Sequence, residues 1–257
     1  MAKLYVSTIK FDDSPLVVIT NNKSAPITGF SIDMMNKIGS ILSLKIVYSL
    51  KSFEQLFSFV KKNKFHLSLS SITDTKQRQQ QNGSFIDYFK FGSQLFARRN
   101  DTTNVKRLAD LCGYSVTSLR GSTQQTDVET VSCPSNKKVK SVPVETNHET
   151  FEAVKSGQAQ FGIQDEPLIT YNLKHQYKGY LKETGLPYNI LPYGILCQKN
   201  SPLCCTIVQA VNYLIYDGTY SYLLNKWKVR RNNIGISLLN RQYSCACTYP
   251  SAYNLRT

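Results

Sequence analysis

Acidic residues are scarce in this chain of 257 residues: 17 Asp and Glu stand against 31 Lys and Arg, leaving a formal net charge of +14. Such an excess suits nucleic acid, an anionic membrane surface, or solubility alone. The basic residues are scattered, the tightest clusters being the short "KKVK" and "KWKVRR". Aromatics do not alternate with them as on an RNA-binding surface, so nucleic acid is not expected as a partner. Long apolar runs are also lacking, and no stretch approaches the roughly 20 residues that a bilayer-spanning helix needs. The opening "MAKLYVSTIK" has no apolar leader core. It implies either a cytosolic protein or one from which a targeting segment was removed. No CxxC pair occurs, and His66, His148 and His175 lie far apart, which argues against a zinc site. No metal or other cofactor is expected.

What is present fits a substantial core, arranged as one large domain or two smaller ones. Seven cysteines (Cys112, Cys133, Cys197, Cys204, Cys205, Cys245, Cys247) admit two readings. Cys204 and Cys205 with Cys245 and Cys247 form a disulfide cluster that ties down the C-terminal tail in an oxidising compartment, or the thiols are buried and free. Strand-like and helix-like segments alternate. "LYVST", "PLVVIT" and "KIVYSL" read as extended. "GFSIDMMNKIGSILSL" has helical periodicity with Ser31 as N-cap and Asp33 in the first turn. "SFEQLFSFVKKNK" opens with the capping-box pair Ser52 and Gln55 and sets Leu56, Phe59 and Val60 on one side. "FHLSLSS" then leads into the polar stretch "SSITDTKQR". A second series follows: "GYSVTSL", "GSTQQTDVETV", "VKSVPVE", "HETFEAVKSG" ending at Gly157, "AQFGI" and "DEPLITYNLK". "LPYGILCQK" reads as a return strand, and "LCCTIVQAVNYLIYDG" and "YSYLLNKWKV" as closing helices. The alternation predicts two α/β units, one inserted into the other, with ligands bound beyond the carboxyl ends of the strands.

The ordered set "GFSIDMM", "SFEQLFSFVKKNKFHLSLSSITDTKQRQQ", "GYSVTSLRGSTQQ", "QAQFGIQDEP" and "DGTYSYLLNKW" resembles the polar amino-acid-binding proteins of ABC importers. The same fold, periplasmic binding protein type 2, forms the ligand-binding domains of ionotropic glutamate receptors. The resemblance runs from about Leu4 to Val229 and rests on the order of the motifs. It implies two lobes joined by two crossing strands, with the ligand cleft between them. Lobe 1 would comprise residues 1–91 and 192–257, lobe 2 residues 92–191, and residues 230–257 a C-terminal extension. It also implies a monomer in the periplasm or outside the cell, serving a membrane transporter or receptor.

Carried onto this sequence, the resemblance places the carboxylate-binding arginine at Arg78 and the hydroxyl and backbone contacts at Ser70, Ser71 and Thr73. It places the aromatic that covers the ligand side chain at Phe53. In the second lobe the "GST" turn falls on Gly121, Ser122 and Thr123, with Leu119 just before it, and the ammonium acceptor on Asp165. The chemistry agrees. A free amino acid carries opposite charges on one carbon, and a guanidinium can give a carboxylate two parallel charge-assisted hydrogen bonds. Ser122 starts a predicted helix whose first N–H groups favour an anion. Asp165 also suits an N-cap, with proline in the first turn behind it.

The loop "TIKFDDSPL" departs from the family pattern. One alignment puts Lys10 and Asp13 near the ligand side chain, another Ile9 and Asp12, and Phe11 supplies an aromatic in either. Lys10 there would select an acidic or neutral ligand, and Asp12 or Asp13 a cationic one. The loop motifs lean towards the cationic binders Arg, Lys and His. A sensory receptor domain is the second reading. A dehydratase-like enzyme is the third, with Glu166 as its acid or base, but adjacent residues at a helix start diverge by about 100°. Asp165 and Glu166 are therefore not expected to face one ligand together, and no enzyme is expected.

Overall fold

The computed structural model describes residues 2–20, 22, 26–62, 64–134, 137–242 and 245. The chain first forms β1 (Ala2–Ile9), β2 (Val18–Ile19), β3 (Ile27–Thr28), α1 (Phe30–Ile41), β4 (Leu44–Lys51) and α2 (Phe53–Lys61). Next come β5 (Leu67–Ser68), α3 (Lys76–Gln81) and the long β6 (Ser84–Arg98). The second series is β7 (Ser115–Leu119), α4 (Thr123–Thr130), β8 (Lys140–Val144), α5 (Asn147–Ser156), β9 (Phe161–Asp165) and α6 (Glu166–Lys174). The long β10 (Leu181–Cys197) leads to α7 (Pro202–Tyr216) and α8 (Thr219–Lys226). Two compact units result. Unit 1 is Met1–Lys10, Leu16–Lys90 and Leu191–Thr257; unit 2 is Phe11–Pro15 and Phe91–Ile190.

In unit 1, β1 pairs in parallel with β4 along its whole length and with β5 on its other side. The end of β10 pairs antiparallel with β5 through Leu196 and Cys197. Because β1, β4 and β5 run the same way, the residues after each of them gather at one edge of the sheet. Helix α1 buries Met34, Met35 and Ile38. Its N-cap is Gly29, not the expected Ser31. The cause is a close approach: at φ +123°, a Cβ on residue 29 would stand 2.3 Å from the Leu16 carbonyl oxygen. Only glycine fits there. Ser31 instead lies inside the first turn, buried, with its hydroxyl 3.0 Å from that of Tyr88. The capping box of α2 forms as expected, the Ser52 N–H donating to Gln55 Oε1 at 3.1 Å. Leu56 and Val60 of that helix are fully buried, while the side chain of Phe59 lies outside the described residues. The core is aromatic: Phe30 contacts Tyr88, Phe89 and Tyr220, and Phe89 stacks on Tyr193.

In unit 2, β7 lies in parallel between β8 and β9, and β9 pairs antiparallel with β6. Phe96, Phe151, Leu168, Ile169 and Tyr177 form one core cluster, and Leu95, Val105, Val116, Phe161 and Ile163 form another. Strand β6 feeds both clusters, Phe96 entering one and Leu95 and Ala97 the other, as alternation of side chains requires, while β9 contributes Phe161 and Ile163 to the second. Helix α5 is capped at both ends, by Thr146 with Glu149 and by the left-handed Gly157.

The cysteines form disulfides, but not the expected cluster. Cys205 bonds to Cys245, so the tail is stapled as anticipated, whereas Cys204 bonds to Cys197 at the end of β10. Cys112 bonds to Cys133 in unit 2, a pairing that the sequence spacing did not suggest. Cys247 lies outside the described residues. Closing loops of 21 and 40 residues removes chain entropy that stabilises each unit by about 3–4 kcal/mol.

Candidate ligand-binding site

Unit 1 collects its candidate residues at the carboxyl edge of its parallel strands. Phe53 follows β4, and the turn Ser70–Thr75 follows β5. The turn is sewn down by backbone bonds: Ile72 N–H to the Ser70 carbonyl, Gly194 N–H to the Ile72 carbonyl, and Asp74 N–H to the Pro192 carbonyl. Thr73 bridges Tyr193 of β10. The Tyr88 hydroxyl donates to the Ser70 carbonyl at 2.9 Å. Ser70 and Thr73 are buried, and Ser71 is half-buried. The polar stretch beyond the turn folds as α3, capped by the Thr75 hydroxyl, which accepts from the Arg78 N–H at 3.2 Å.

Arg78 is half-buried. Its Nη1 donates to the Thr73 carbonyl at 3.0 Å, and its guanidinium carbon sits 5.0 Å from the Phe57 ring centre and 5.6 Å from that of Phe53. A guanidinium is weakly hydrated and tolerates an aromatic wall, so the rings orient the fork without neutralising it. Phe53 was assigned to the ligand side chain; its ring lies edge-on to Phe57 and against Arg78. Phe57 escaped the sequence reading, although its spacing of four from Phe53 places both on one helix face.

Unit 2 collects its candidates after β7, β8 and β9. Leu119 and Ser122 are buried, and Thr123 is half-buried. Ser122 is the N-cap of α4, its hydroxyl accepting from the Gln125 N–H at 3.1 Å. The Gly121 N–H donates to Gln125 Oε1 at 2.7 Å. One of the first helical N–H groups, that of Gln125, is therefore engaged by the cap. Asp165 occupies the N-cap position of α6 but makes no capping bond with its side chain. Its Oδ1 accepts instead from Gln124 Nε2, which also reaches Ser93 Oγ at 3.2 Å. Gln124, buried at the second position of α4, was read from sequence only as part of a helix. Glu166 is buried behind Asp165 and accepts from the Thr170 hydroxyl at 3.1 Å.

The loop after β1 divides its residues. Lys10 is exposed and belongs to unit 1; Phe11–Pro15 belong to unit 2. Phe11 is half-buried. Asp12 is exposed and accepts from the Ser14 hydroxyl and N–H. Asp13 is buried and accepts from Asn147 Nδ2 at 2.8 Å; Gln164 Nε2 in turn donates to Asn147 Oδ1 at 3.1 Å. Asn147 and Gln164 were not singled out by any sequence signal. Among the described residues, no cluster of His, Cys, Asp and Glu suits a metal ion.

Residues 8–230 match the model of the bacterial extracellular solute-binding proteins, family 3. The probable amino-acid-binding protein YxeM of Bacillus subtilis (strain 168) is 23% identical over 239 residues, with 86% of each chain covered. The GluR0 ligand-binding core from Nostoc punctiforme, solved with L-glutamate, is 26% identical with a TM-score of 0.76, covering 88% of this chain and 99% of that one. An ancestral arginine-binding protein bound to arginine is 25% identical with a TM-score of 0.80, covering 88% and 98%.

Proposed function

The chain belongs to the family 3 bacterial extracellular solute-binding proteins and has their α/β fold, and from this we propose that it binds one free amino acid for delivery to a membrane transporter. Arg78 and the turn Ser70–Thr73 take the α-carboxylate, and Asp165 takes the α-ammonium. Ser122, Thr123 and Leu119 line the approach from unit 2, and Phe53 flanks the ligand from unit 1.

The observation that carries this reading is the seat of Arg78, a guanidinium oriented by the Thr73 carbonyl and two aromatic rings beside a turn rich in hydroxyls. For the ligand side chain we favour a cationic amino acid. Of the charged residues in the loop after β1, Asp13 is buried while Lys10 and Asp12 are exposed. A sensory ligand-binding domain is the second reading, favoured by the match to 99% of the GluR0 core. The matched family and the YxeM relative are binding proteins by description, and on that ground we favour binding over catalysis. A thermal-shift screen against the twenty amino acids tests the proposal. A ligand at 100 times its Kd adds about 2.7 kcal/mol of stability. The expected result is a large shift with Arg, Lys or His; no shift with any amino acid refutes the reading.

A further inference from the structure

Two carboxyls lie buried directly beneath the carboxylate-binding turn. Asp74 follows Thr73, and Asp87 lies on β6; both are almost fully shielded from solvent. The two carboxyl groups interact directly with each other. Asp74 Oδ1 accepts from Gln79 Nε2 at 2.7 Å, and Asp87 Oδ2 from the Arg241 N–H at 3.1 Å. The remaining oxygens, Asp74 Oδ2 and Asp87 Oδ1, are buried and meet no donor among the described residues. Two carboxylate oxygens cannot bond each other unless one of them carries a proton.

What flanks the pair is as informative as the pair itself. On one side are the turn and α3, which carry Thr73 and Arg78. On the other is the segment 238–242, laid along β6: Asp87 N–H donates to the Leu238 carbonyl, Asn240 N–H to the Phe85 carbonyl, and Phe85 N–H to Asn240 Oδ1. The Cys205–Cys245 disulfide ties the chain down just beyond. We propose that Asp74 and Asp87 share one proton, that this proton fastens the Thr73–Arg78 turn to the tail segment, and that the grip on the ligand carboxylate therefore weakens as pH rises. The dependence on ligand rests on the function proposed above; the shared proton does not.

The charged groups around the pair give the direction. Arg78 from α3 and Arg241 from the tail face it as positive charges, and β10 meets the turn with Pro192, Tyr193 and Gly194, none of them charged. Burial raises both carboxyls above the ordinary carboxylate range, and the charge of Asp74 raises Asp87 further. When the shared proton leaves for solvent, a second negative charge remains in the protein. That charge competes with the ligand carboxylate for Arg78 and breaks the link between the turn and the tail segment. Asp74 and Asp87 thus act as positioning residues through Arg78.

The test is Asp87→Asn, whose amide nitrogen can donate permanently to Asp74 and whose oxygen can keep the Arg241 N–H. L-arginine affinity is measured by calorimetry for both proteins between about pH 6 and about pH 8.5, the range into which burial lifts such groups. The wild type should lose affinity several-fold as pH rises while the variant stays flat, apart from titration of the ligand itself, which both share. Parallel profiles overturn the coupling. Without ligand, the infrared carbonyl band of a protonated carboxyl should be present in the wild type at neutral pH and absent from the variant. Its absence from the wild type overturns the shared proton, whether or not any amino acid binds. If L-arginine binds neither protein while the band is present, it is the ligand assignment that fails. Should Asp87→Asn not fold, Asp74→Asn makes the reciprocal replacement, and the band in the wild type decides alone.

Discussion

Unit 1 holds its cation against hydrocarbon and unit 2 holds its anion against amides. Arg78 leans on the rings of Phe53 and Phe57 with one carbonyl for orientation, whereas Asp165 is buried and fixed by Gln124, itself tethered to Ser93. Asp13 repeats the second pattern with Asn147 and Gln164. The difference follows from solvation. A guanidinium spreads its charge over a plane and packs on π faces at little cost, but a buried carboxylate without donors costs several kcal/mol. Each unit therefore holds its charge with the material that its charge tolerates.

Substitutions in the two units should separate these strategies. Arg78→Ala removes two charge-assisted bonds worth about 1.5–3 kcal/mol each, so affinity for the amino acid should fall more than a hundredfold by calorimetry. A near-normal affinity would remove unit 1 from the site. Gln124→Leu leaves Asp165 without its amide partner, and a buried acceptor deprived of a donor costs about 1–3 kcal/mol. Binding should weaken roughly tenfold, and Gln124→Glu should not rescue it, because it sets a second carboxylate against the first. Phe57→Leu keeps volume but removes the π face, worth about 0.5–1 kcal/mol at a partly exposed cation. Affinity should fall only a few-fold; a loss as large as that of Arg78→Ala would mean that packing, not charge, carries unit 1's half.

The pH dependence of stability offers a further contrast, since unit 1 contains the Asp74–Asp87 pair. A carboxyl raised in the folded state is protonated there while the unfolded chain has already released its proton. Its contribution is complete below the unfolded value near 4 and declines as pH rises towards the folded one, by up to about 1.4 kcal/mol per pH unit. Thermal unfolding of wild type should therefore fall more steeply from acid to neutral pH than that of Asp87→Asn. Equal slopes would place the titration elsewhere.

Legibility in the sequence tracked local signals. Helix starts were read at Ser52 and Ser122 because each cap and its partner lie three residues apart, and the same spacing at Thr146 and Glu149 went unread. The cap at Gly29 was not, since it depends on the Leu16 carbonyl thirteen residues away. Helix α3 has no apolar face to betray it, its residues being Lys, Gln and Arg alone. Of the proposed site, the charged residues were named from motifs. The residues that hold them could not, because Gln124, Asn147 and Gln164 reach Asp165 and Asp13 only after distant segments meet. The disulfides divided likewise. The staple of the tail was foreseen in outline, but the Cys197–Cys204 link depends on the end of β10 meeting the start of α7.

In the proposed function, Arg78 grips the α-carboxylate of a free amino acid. Calorimetry with L-arginine and with its decarboxylated counterpart, identical but for the α-carboxylate, addresses it most directly. Binding of L-arginine with loss of more than a hundredfold for the decarboxylated amine is predicted, corresponding to about 3 kcal/mol at Arg78. Equal affinity for the two compounds would contradict it.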